Sequence, residues 1–189
     1  KENPKRDIKL FAGPGICKAE NVWTGFNGAT GDVLMILDAD LTVMPEKLPQ
    51  FLDVLATGYG EFINGSRMIY PMQSDAMRGL NIFGNKGFSL IFQIILGHAI
   101  KDTLCGTKVF WRKDWPRIQP MVGTWGIKDR WGDFDLLIGA YKNNLKITEV
   151  PVTYYERKED NTKMTSVILN GVRMLSIVLV AFYKLRLKK

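Results

Sequence analysis

An unbroken apolar run that ends in two acids constrains this chain more than any other feature. Residues 33–37 read Val-Leu-Met-Ile-Leu, and Asp38-Ala39-Asp40 follow directly. Such a run predicts a buried strand, and side chains alternate along a strand, so both acids at its tip are expected to point the same way. Open α/β sheets bind ligands beyond the carboxyl ends of their strands. The acids therefore predict a half-site for Mg²⁺ or Mn²⁺, with a plain acidic turn as the alternative.

Predicted strands and helices alternate along most of the chain. The predicted strands cover residues 9–11, 33–37, 61–65, 108–111 and 146–155, and the predicted helices cover residues 18–29, 45–57, 76–100 and 133–141. The β–α–β–α–β order at the start predicts a mostly parallel sheet with helices on both faces. Pro151 lies inside the last strand, which predicts an edge strand or a bulge.

The C-terminal tract, residues 167–183, is apolar around most of a helix. One narrow polar stripe interrupts it, formed by Ser166, Asn170, Arg173 and Ser176. Seventeen helical residues reach about 26 Å, less than the hydrocarbon core of about 30 Å, so we expect an interfacial helix. The basic cluster after it suits anionic lipid headgroups. A terminal helix packed on the core is the alternative, and for residues 76–100 a core helix and a membrane-contacting helix both stay open.

Composition excludes several classes of site. His98 is the one histidine, so a histidine-based triad or a zinc cluster is not expected. Two cysteines are too few for a disulfide framework and favour a reducing compartment. The net charge of +7 favours anionic partners, but the positive residues are scattered rather than interleaved with aromatics, which argues against nucleic acid. The chain starts at Lys1, and we expect it to be a fragment that lacks upstream sequence.

A series of short motifs runs through residues 9–165 in a fixed order. They are CKAENVWTGF at 17–26, ATGD at 29–32, DADL at 38–41 with PE at 45–46, GSR at 65–67, DTLCGTKVF at 102–110, DFDLL at 133–137, EVPV at 149–152, and Arg157 followed by Thr162-Lys163. The series resembles that of inverting GT-A-type glycosyltransferases, and its nearest branch is similar to the polyprenyl-phosphate, dolichol-phosphate-mannose-synthase-like sugar transferases.

The resemblance implies an α/β fold of the GT-A, Rossmann-like kind with three layers. Residues 1–165 would form the glycosyltransferase domain without the family's first nucleotide-binding strand, and residues 166–189 would form a membrane-associating helix with a basic tail. Cys17 and Ala19 stand where the family has glycines, and Lys108 stands for a common arginine.

The resemblance also implies a reaction and a location. A sugar of the mannose or glucose class would move from a nucleotide-diphosphate sugar to a dolichyl or undecaprenyl phosphate, with inversion, at the cytoplasmic face of a membrane. Asp38 and Asp40 would hold Mg²⁺ or Mn²⁺. The candidates for substrate binding are Lys18, Asp38, Arg67, Arg78, Arg157 and Lys163, and the candidates near the reacting centre are Asp102, Asp133 and Asp135.

Two other functions stay open. A glycosyltransferase of the same fold could act on a glycan or glycolipid hydroxyl, and one of the three acids would then serve as general base. A non-catalytic, basic lipid-binding domain is the other alternative. Arg67, Arg78 and Arg157 could each be an ordinary surface arginine, and Asp133 could be a helix N-cap.

Overall fold

The computed structural model describes residues 8–69, 79–155 and 166–188. The helices are α1 (Lys18–Gly28), α2 (Leu48–Ala56), α3 (Gly79–Leu96), α4 (Trp115–Ile118), α5 (Asp133–Lys142) and α6 (Val167–Phe182). The strands are β1 (Val33–Met35), β2 (Phe62–Ser66), β3 (Lys108–Trp111) and β4 (Ile147–Pro151). A 3-10 turn at Pro45–Lys47 leads into α2, and a π-helical turn at Tyr183–Leu187 continues α6.

The four strands form one sheet in the order β1-β3-β2-β4. β1, β2 and β4 share one direction, and β3 runs antiparallel between β1 and β2. The α/β class predicted from the sequence is confirmed. The reversal of β3 follows from the loop before it, because Asp102 in that loop is bound to Arg67 at the end of β2. β3 therefore starts where β2 ends and must run back along it.

The sequence predicted strand positions with mixed accuracy. β4 lies at one edge of the sheet, as Pro151 predicted, and Pro151 pairs with Ser66. The strand predicted at residues 9–11 is wrong: these residues form no strand, and Leu10 is 98% exposed. A strand needs a neighbouring strand that pairs with its backbone N–H and C=O groups. In the described sheet no strand pairs with residues 9–11.

Helices cover both faces of the sheet. Phe62 and Phe110 point to one face, where their rings stack with centroids 5.3 Å apart and α1, α3, α4, α5 and α6 complete the core. Their neighbours Ile63 and Val109 point to the other face, where α2 and the segment after β4 cover them. This alternation is the period-two pattern of strands that are buried on both sides.

One face of α6 belongs to the core and the other is exposed and apolar. Met174, Ile177, Val178 and Ala181 are buried, and α6 packs on α3 and α5. The side chains of α6 and of the π-helical turn after it with large exposed areas are Ile168, Leu169, Val172, Leu175, Leu179, Tyr183 and Leu187. By length and composition the segment 168–187 could cross a membrane. Crossing would uncover the face of α6 that packs on α3 and α5.

Candidate active site

Lys18 and Asp38 form an ion pair at the edge of the sheet. Lys18 is the first residue of α1, and its Nζ lies 2.7 Å from Oδ1 and 2.9 Å from Oδ2 of Asp38. Burial disfavours the charged form of Lys18, but the negative charges of Asp133 and Asp38 outweigh it and raise the pKa of this ammonium. The carboxylate keeps 39% of its side-chain area exposed. The Lys18 ammonium is therefore charged at neutral pH, and the partly exposed pair is accessible to a ligand.

Asp40 has different partners from Asp38. Its Oδ1 accepts hydrogen bonds from the backbone N–H of Thr42 at 3.2 Å and from the Thr42 hydroxyl at 3.0 Å. The two acids lie in a turn, because the N–H of Leu41 donates to the Asp38 carbonyl at 3.2 Å and Leu41 has a φ of 51°. The predicted strand therefore ends before the acids, and strand alternation does not set their orientation.

Gly106 lies directly against the Lys18–Asp38 pair. A Cβ at this position would lie 2.3 Å from Oδ2 of Asp38 and 2.7 Å from Nζ of Lys18. These distances are well inside van der Waals contact, so a larger residue would displace the pair. The loop before β3 thus forms a wall of the site through its backbone.

A second ion pair lies on the other side of this loop. Lys108 begins β3 and is fully buried, and its Nζ lies 2.7 Å from Oδ1 of Asp133 and donates to the carbonyl of Cys105. Asp133, at the start of α5, also acts electrostatically on Lys18. The two pairs therefore flank Cys105–Gly106 and form one connected set of charges. Lys108 fills the position that the family resemblance assigns to an arginine, with a single ammonium in place of a guanidinium fork.

Arg67 and Asp102 form a third, buried pair. The guanidinium donates to Asp102 at 2.6 Å from Nε and 2.8 Å from Nη2, and the Arg67 backbone N–H donates at 2.9 Å. Asn85 and the N–H of Leu104 complete the shell of the carboxylate. Burial alone would raise the pKa of Asp102, but its bonds to Arg67 and the charge of Arg67 lower it. This geometry favours a positioning role for both residues over direct contact with a substrate.

Two further residues hold the Asp102 loop, and the sequence did not single them out. The Asn64 amide donates to the Asp102 carbonyl at 2.7 Å, and Glu149 accepts from the N–H groups of Lys101 and Asp102 at 2.9 and 3.0 Å. Glu149 lies in the EVPV motif, which is the one signal that could have identified it. Asn85 gave a weaker signal, an amide inside the apolar helix α3, where a buried polar group needs a partner.

Three carboxylates cluster at the start of α5. Asp129 accepts hydrogen bonds from the N–H groups of Trp131, Phe134 and Asp135 and so caps the helix from outside. The N-cap role considered for Asp133 is therefore wrong, since Gly132 is the N-cap residue and Asp129 accepts the N–H groups of the first turn. Apart from its place before the DFD motif, no sequence pattern marked Asp129.

Asp135 is a buried member of this cluster with a strongly raised pKa. Its oxygens accept from the N–H of Gly123 at 3.2 Å, and it is 2% exposed. Burial, together with the charge of Asp129, raises the pKa of Asp135 to about 7. The carboxyl is thus divided between its two protonation states near neutral pH. Asp135 lies two residues after Asp133, but its side chain accepts hydrogen bonds from a different loop.

Three of the predicted binding residues, Arg78, Arg157 and Lys163, lie outside the described residues. Within the described ranges, no three or more His, Cys, Asp or Glu side chains are grouped to hold a metal ion. Asp38 and Asp40 still offer hard, exposed carboxylate oxygens, the donors that Mg²⁺ and Mn²⁺ prefer when substrate phosphates and water supply the other ligands. The residues present fit a metal half-site.

Comparison with known proteins identifies the family. Residues 7–133 match the domain described as glycosyl transferase family 2. The chain belongs to glycosyl transferase family 2. The resemblance that the sequence motifs indicated is thereby confirmed at the level of the family.

The chain is similar to named glycosyltransferases of other organisms. The chain is 30% identical over 125 residues to a dolichyl-phosphate hexose transferase of Haloferax volcanii, covering 66% of this chain and 51% of that protein. It is 28% identical over 180 residues to a dolichyl-phosphate beta-glucosyltransferase, ALG5C, of Trichomonas vaginalis, covering 91% and 52%. The glycosyltransferase AglJ of Haloferax volcanii is 29% identical over 138 residues, covering 73% and 43%. The chain thus spans about half the length of these relatives.

A solved structure supports the fold. The chain superposes with a TM-score of 0.60 on glucosyl-3-phosphoglycerate synthase from Mycobacterium tuberculosis, crystallised with phosphoglyceric acid. The match covers 92% of this chain and 56% of the other at 15% identity, so it speaks for the fold alone. It confirms the GT-A fold predicted from the motifs.

Proposed function

We propose that this chain forms part of an enzyme that moves a hexose of the glucose or mannose class from a nucleotide-diphosphate sugar to a polyprenyl phosphate, with inversion. The observation that carries the proposal is the Lys18–Asp38 pair against the Gly106 backbone. It places an exposed carboxylate and an ammonium side by side at the edge of the sheet, where ligands of open α/β sheets bind. The names of two relatives, both dolichyl-phosphate hexosyl- or glucosyltransferases, support the lipid phosphate acceptor.

The acidic turn and Lys18 serve the donor diphosphate. Asp38 and Asp40 would hold Mg²⁺ or Mn²⁺, which supplies Lewis-acid stabilisation of the departing nucleotide diphosphate when it is bound. Lys18 neutralises Asp38 while the donor is absent. Once the donor binds, the Lys18 ammonium becomes available to the diphosphate oxygens, because its single point charge can turn from one anion to another.

The remaining acids position groups rather than remove a proton. A lipid phosphate is already an anion near neutral pH, so it needs placement more than deprotonation. Asp133 fixes Lys108 and acts electrostatically on Lys18, and so it sets the position of the cations that face the diphosphate. Asp102 holds Arg67 and the loop that carries Gly106. In this mechanism Asp135 tethers Gly123 to α5.

A hydroxyl acceptor is the second candidate, and one observation favours it. Transfer to a hydroxyl needs a general base, and the ideal base has a pKa near the working pH. Asp135 meets this requirement with a pKa of about 7. Its 2% exposure stands against direct contact with a bulky glycan.

The exposed apolar faces of α3 and α6 are assigned to a membrane surface, on the cytoplasmic side. Phe83 and Ile94 of α3 are 78% and 60% exposed, and Ile168 and Leu179 of α6 are 77% and 57% exposed. Large exposed apolar patches mark interaction or membrane surfaces, and outward apolar side chains on both helices support this assignment. Residues 166–189 accordingly act as an interfacial helix attached to the glycosyltransferase domain of residues 1–165.

Mass spectrometry of reaction products tests this assignment. Membranes from cells that express the protein are incubated with a panel of nucleotide sugars. Each reaction also contains a polyprenyl phosphate, a free glycan or no acceptor. A hexosylated lipid phosphate is the expected product, and Asp40→Ala should lower its yield by about 100-fold, as expected for loss of a metal ligand at a developing charge. Transfer that survives Asp40→Ala contradicts the metal assignment. A glycan product supports the hydroxyl acceptor, and binding of lipid without any transfer supports a non-catalytic domain.

A further inference from the structure

A cavity of about 290 Å³ opens beside the candidate active site. It lies between the segment before α1, the segment before α5 and the helix α6. Its lining residues are Ile16, Cys17, Ile127, Lys128, Arg130 and Arg173. None of them belongs to the binding residues that the sequence motifs indicated, so the cavity is a separate feature of the fold.

Two arginines that line the cavity have no side-chain partner within the described ranges. Four of the six arginines in the described ranges bind protein acceptors: Arg67 binds Asp102, Arg112 the carbonyl of Gly31, Arg117 Asp114, and Arg186 the carbonyl of Ile95. Arg130 and Arg173 make no hydrogen bond or ion pair with any residue in those ranges. Lys128, the third cation of the cavity, is paired with Glu20. Two guanidinium groups without a partner among the described residues thus line one cavity.

The walls next to these arginines are apolar. Ile16 and Ile127 are 58% and 40% exposed. Arg173 belongs to the polar stripe of α6, whose outer face is apolar. A guanidinium group presents a rigid fork of donors that matches phosphate oxygens. Cations bordered by exposed isoleucines and an apolar helix suit a phosphate that carries a hydrocarbon chain, rather than a fully polar anion.

The cavity adjoins the charged centre through the backbone. Cys17 immediately precedes Lys18, and the N–H of Ala19 donates to the Arg130 carbonyl at 3.2 Å. Arg130 lies three residues before Asp133 in the chain. A phosphate held by Arg130 would therefore lie close to the cluster that we assign to the donor diphosphate.

We propose that this cavity binds the phosphate monoester of an isoprenoid lipid, with Arg130 and Arg173 as its phosphate ligands. The hydrocarbon chain follows Ile16, Ile127 and the outer face of α6. The identity of the lipid as the sugar acceptor rests on the proposed function, but the binding site does not. The acceptor phosphate is thus bound by residues other than Arg67, whose guanidinium is held by Asp102.

Calorimetric titration of the purified chain in detergent with a ten-carbon isoprenyl monophosphate tests the site, in the absence of any nucleotide sugar. Arg130→Gln and Arg173→Gln should each weaken binding by about tenfold, the loss of one charge-assisted contact. Arg117→Gln is the matched control, because Arg117 lies on α4 with 55% of its side chain exposed, and it should bind as the parent does. Inorganic phosphate should compete poorly, and the corresponding isoprenyl alcohol should not distinguish the variants. Circular dichroism confirms that all variants fold.

Three results overturn the assignment. They are unchanged affinity in both Arg130→Gln and Arg173→Gln, competition by inorganic phosphate as strong as that of the lipid, and absence of binding by the parent chain. A separate transfer assay keeps the two proposals apart. If sugar transfer to lipid phosphate occurs with an unchanged acceptor KM in both variants, the cavity assignment fails and the proposed function stands. If both variants lose lipid affinity but no acceptor is glycosylated, the cavity stands and the proposed function fails.

Discussion

Both carboxylate oxygens of Asp38 face the Lys18 ammonium, at 2.7 and 2.9 Å. A divalent cation at this carboxylate must compete with a cation that the protein already supplies. Under the proposed function, Lys18 would act as an internal counter-ion to Asp38 until a nucleotide diphosphate offers the ammonium other partners.

Replacing Lys18 should separate metal binding from donor binding. Lys18→Gln frees Asp38, so Mn²⁺ should bind several-fold more tightly without nucleotide, as expected when like charge leaves a site. The same variant should bind a nucleoside diphosphate about tenfold more weakly, because it lacks one charge-assisted contact. Electron paramagnetic resonance of free Mn²⁺ measures the first effect and calorimetry the second. Lys18→Arg keeps the charge and is the control, and equal Mn²⁺ affinity in Lys18→Gln and the parent would refute the counter-ion role.

Gly106 should tolerate no side chain. In Gly106→Ala the new Cβ would lie 2.3 Å from Oδ2 of Asp38, so the Lys18–Asp38 pair must shift, and we expect nucleotide-diphosphate affinity to fall by about tenfold or more. Gly25→Ala in α1 is the matched control, since its Cβ meets nothing within 4 Å and should add about 0.5–1 kcal/mol of stability. Calorimetry and thermal melts measure both. Donor affinity that is equal in the two variants would show that the contact does not shape the site.

The buried pair of Arg67 and Asp102 should dominate the stability of this edge of the sheet. Asp102→Asn leaves the buried guanidinium without its counter-charge, and loss of one partner of such a pair costs about 3–5 kcal/mol. Urea unfolding measures the free energy of unfolding. Asp32→Asn, on the exposed turn before β1, changes the same atoms and should stay within about 0.5 kcal/mol of the parent. A loss below about 1 kcal/mol in Asp102→Asn would mean that the Arg67–Asp102 ion pair does not hold the loop before β3 in place.

Asp135 should make the protein less stable as the pH rises. Its pKa is about 7 in the folded state, against about 3.9 in an unfolded chain, so the folded state binds the proton more tightly. The stabilisation is complete below about pH 4 and is lost progressively up to about pH 7. Asp135→Asn removes this loss, and its advantage over the parent should grow from near zero at acidic pH to about 2–4 kcal/mol at pH 8.

Urea unfolding at a series of pH values checks the Asp135 prediction. Asp32→Asn should reproduce the pH dependence of the parent, because Asp32 is exposed. A parallel dependence in Asp135→Asn and the parent would place the pKa of Asp135 near its ordinary value and remove the argument for a general base.

The sequence predicted the positions of elements better than the pairing of charges. The apolar run at residues 33–37 located β1, and Pro151 located an edge strand, because burial and the missing N–H of proline are local properties. The position of Asp38 and Asp40 was predicted correctly, because they directly follow the apolar run of the strand. Their orientation was not, since the chain turns at Leu41, where a non-glycine residue takes a positive φ.

The long-range ion pairs lay beyond the reach of sequence reasoning. Lys108 and Asp133 are 25 residues apart, and Arg67 and Asp102 are 35 apart. Both pairs depend on the reversal of β3, which brings the loop before it to the edge where β2 ends. The alternation of strands and helices predicted parallel neighbours and carried no sign of that reversal. Arg130 and Arg173 line one cavity for a similar reason. Only the packing of α6 on the core brings its polar stripe next to the segment before α5.

The seating of α6 on α3 and α5 has a consequence for encounter kinetics. A helix with one side locked into the body of the protein cannot roll or lift independently of it. If the exposed apolar face of α6 attached to a bilayer, the acidic turn would be held at a fixed distance from the headgroups and in a fixed orientation. An isoprenoid substrate would then be found by lateral diffusion in two dimensions, while the water-soluble nucleotide sugar arrives from the opposite side.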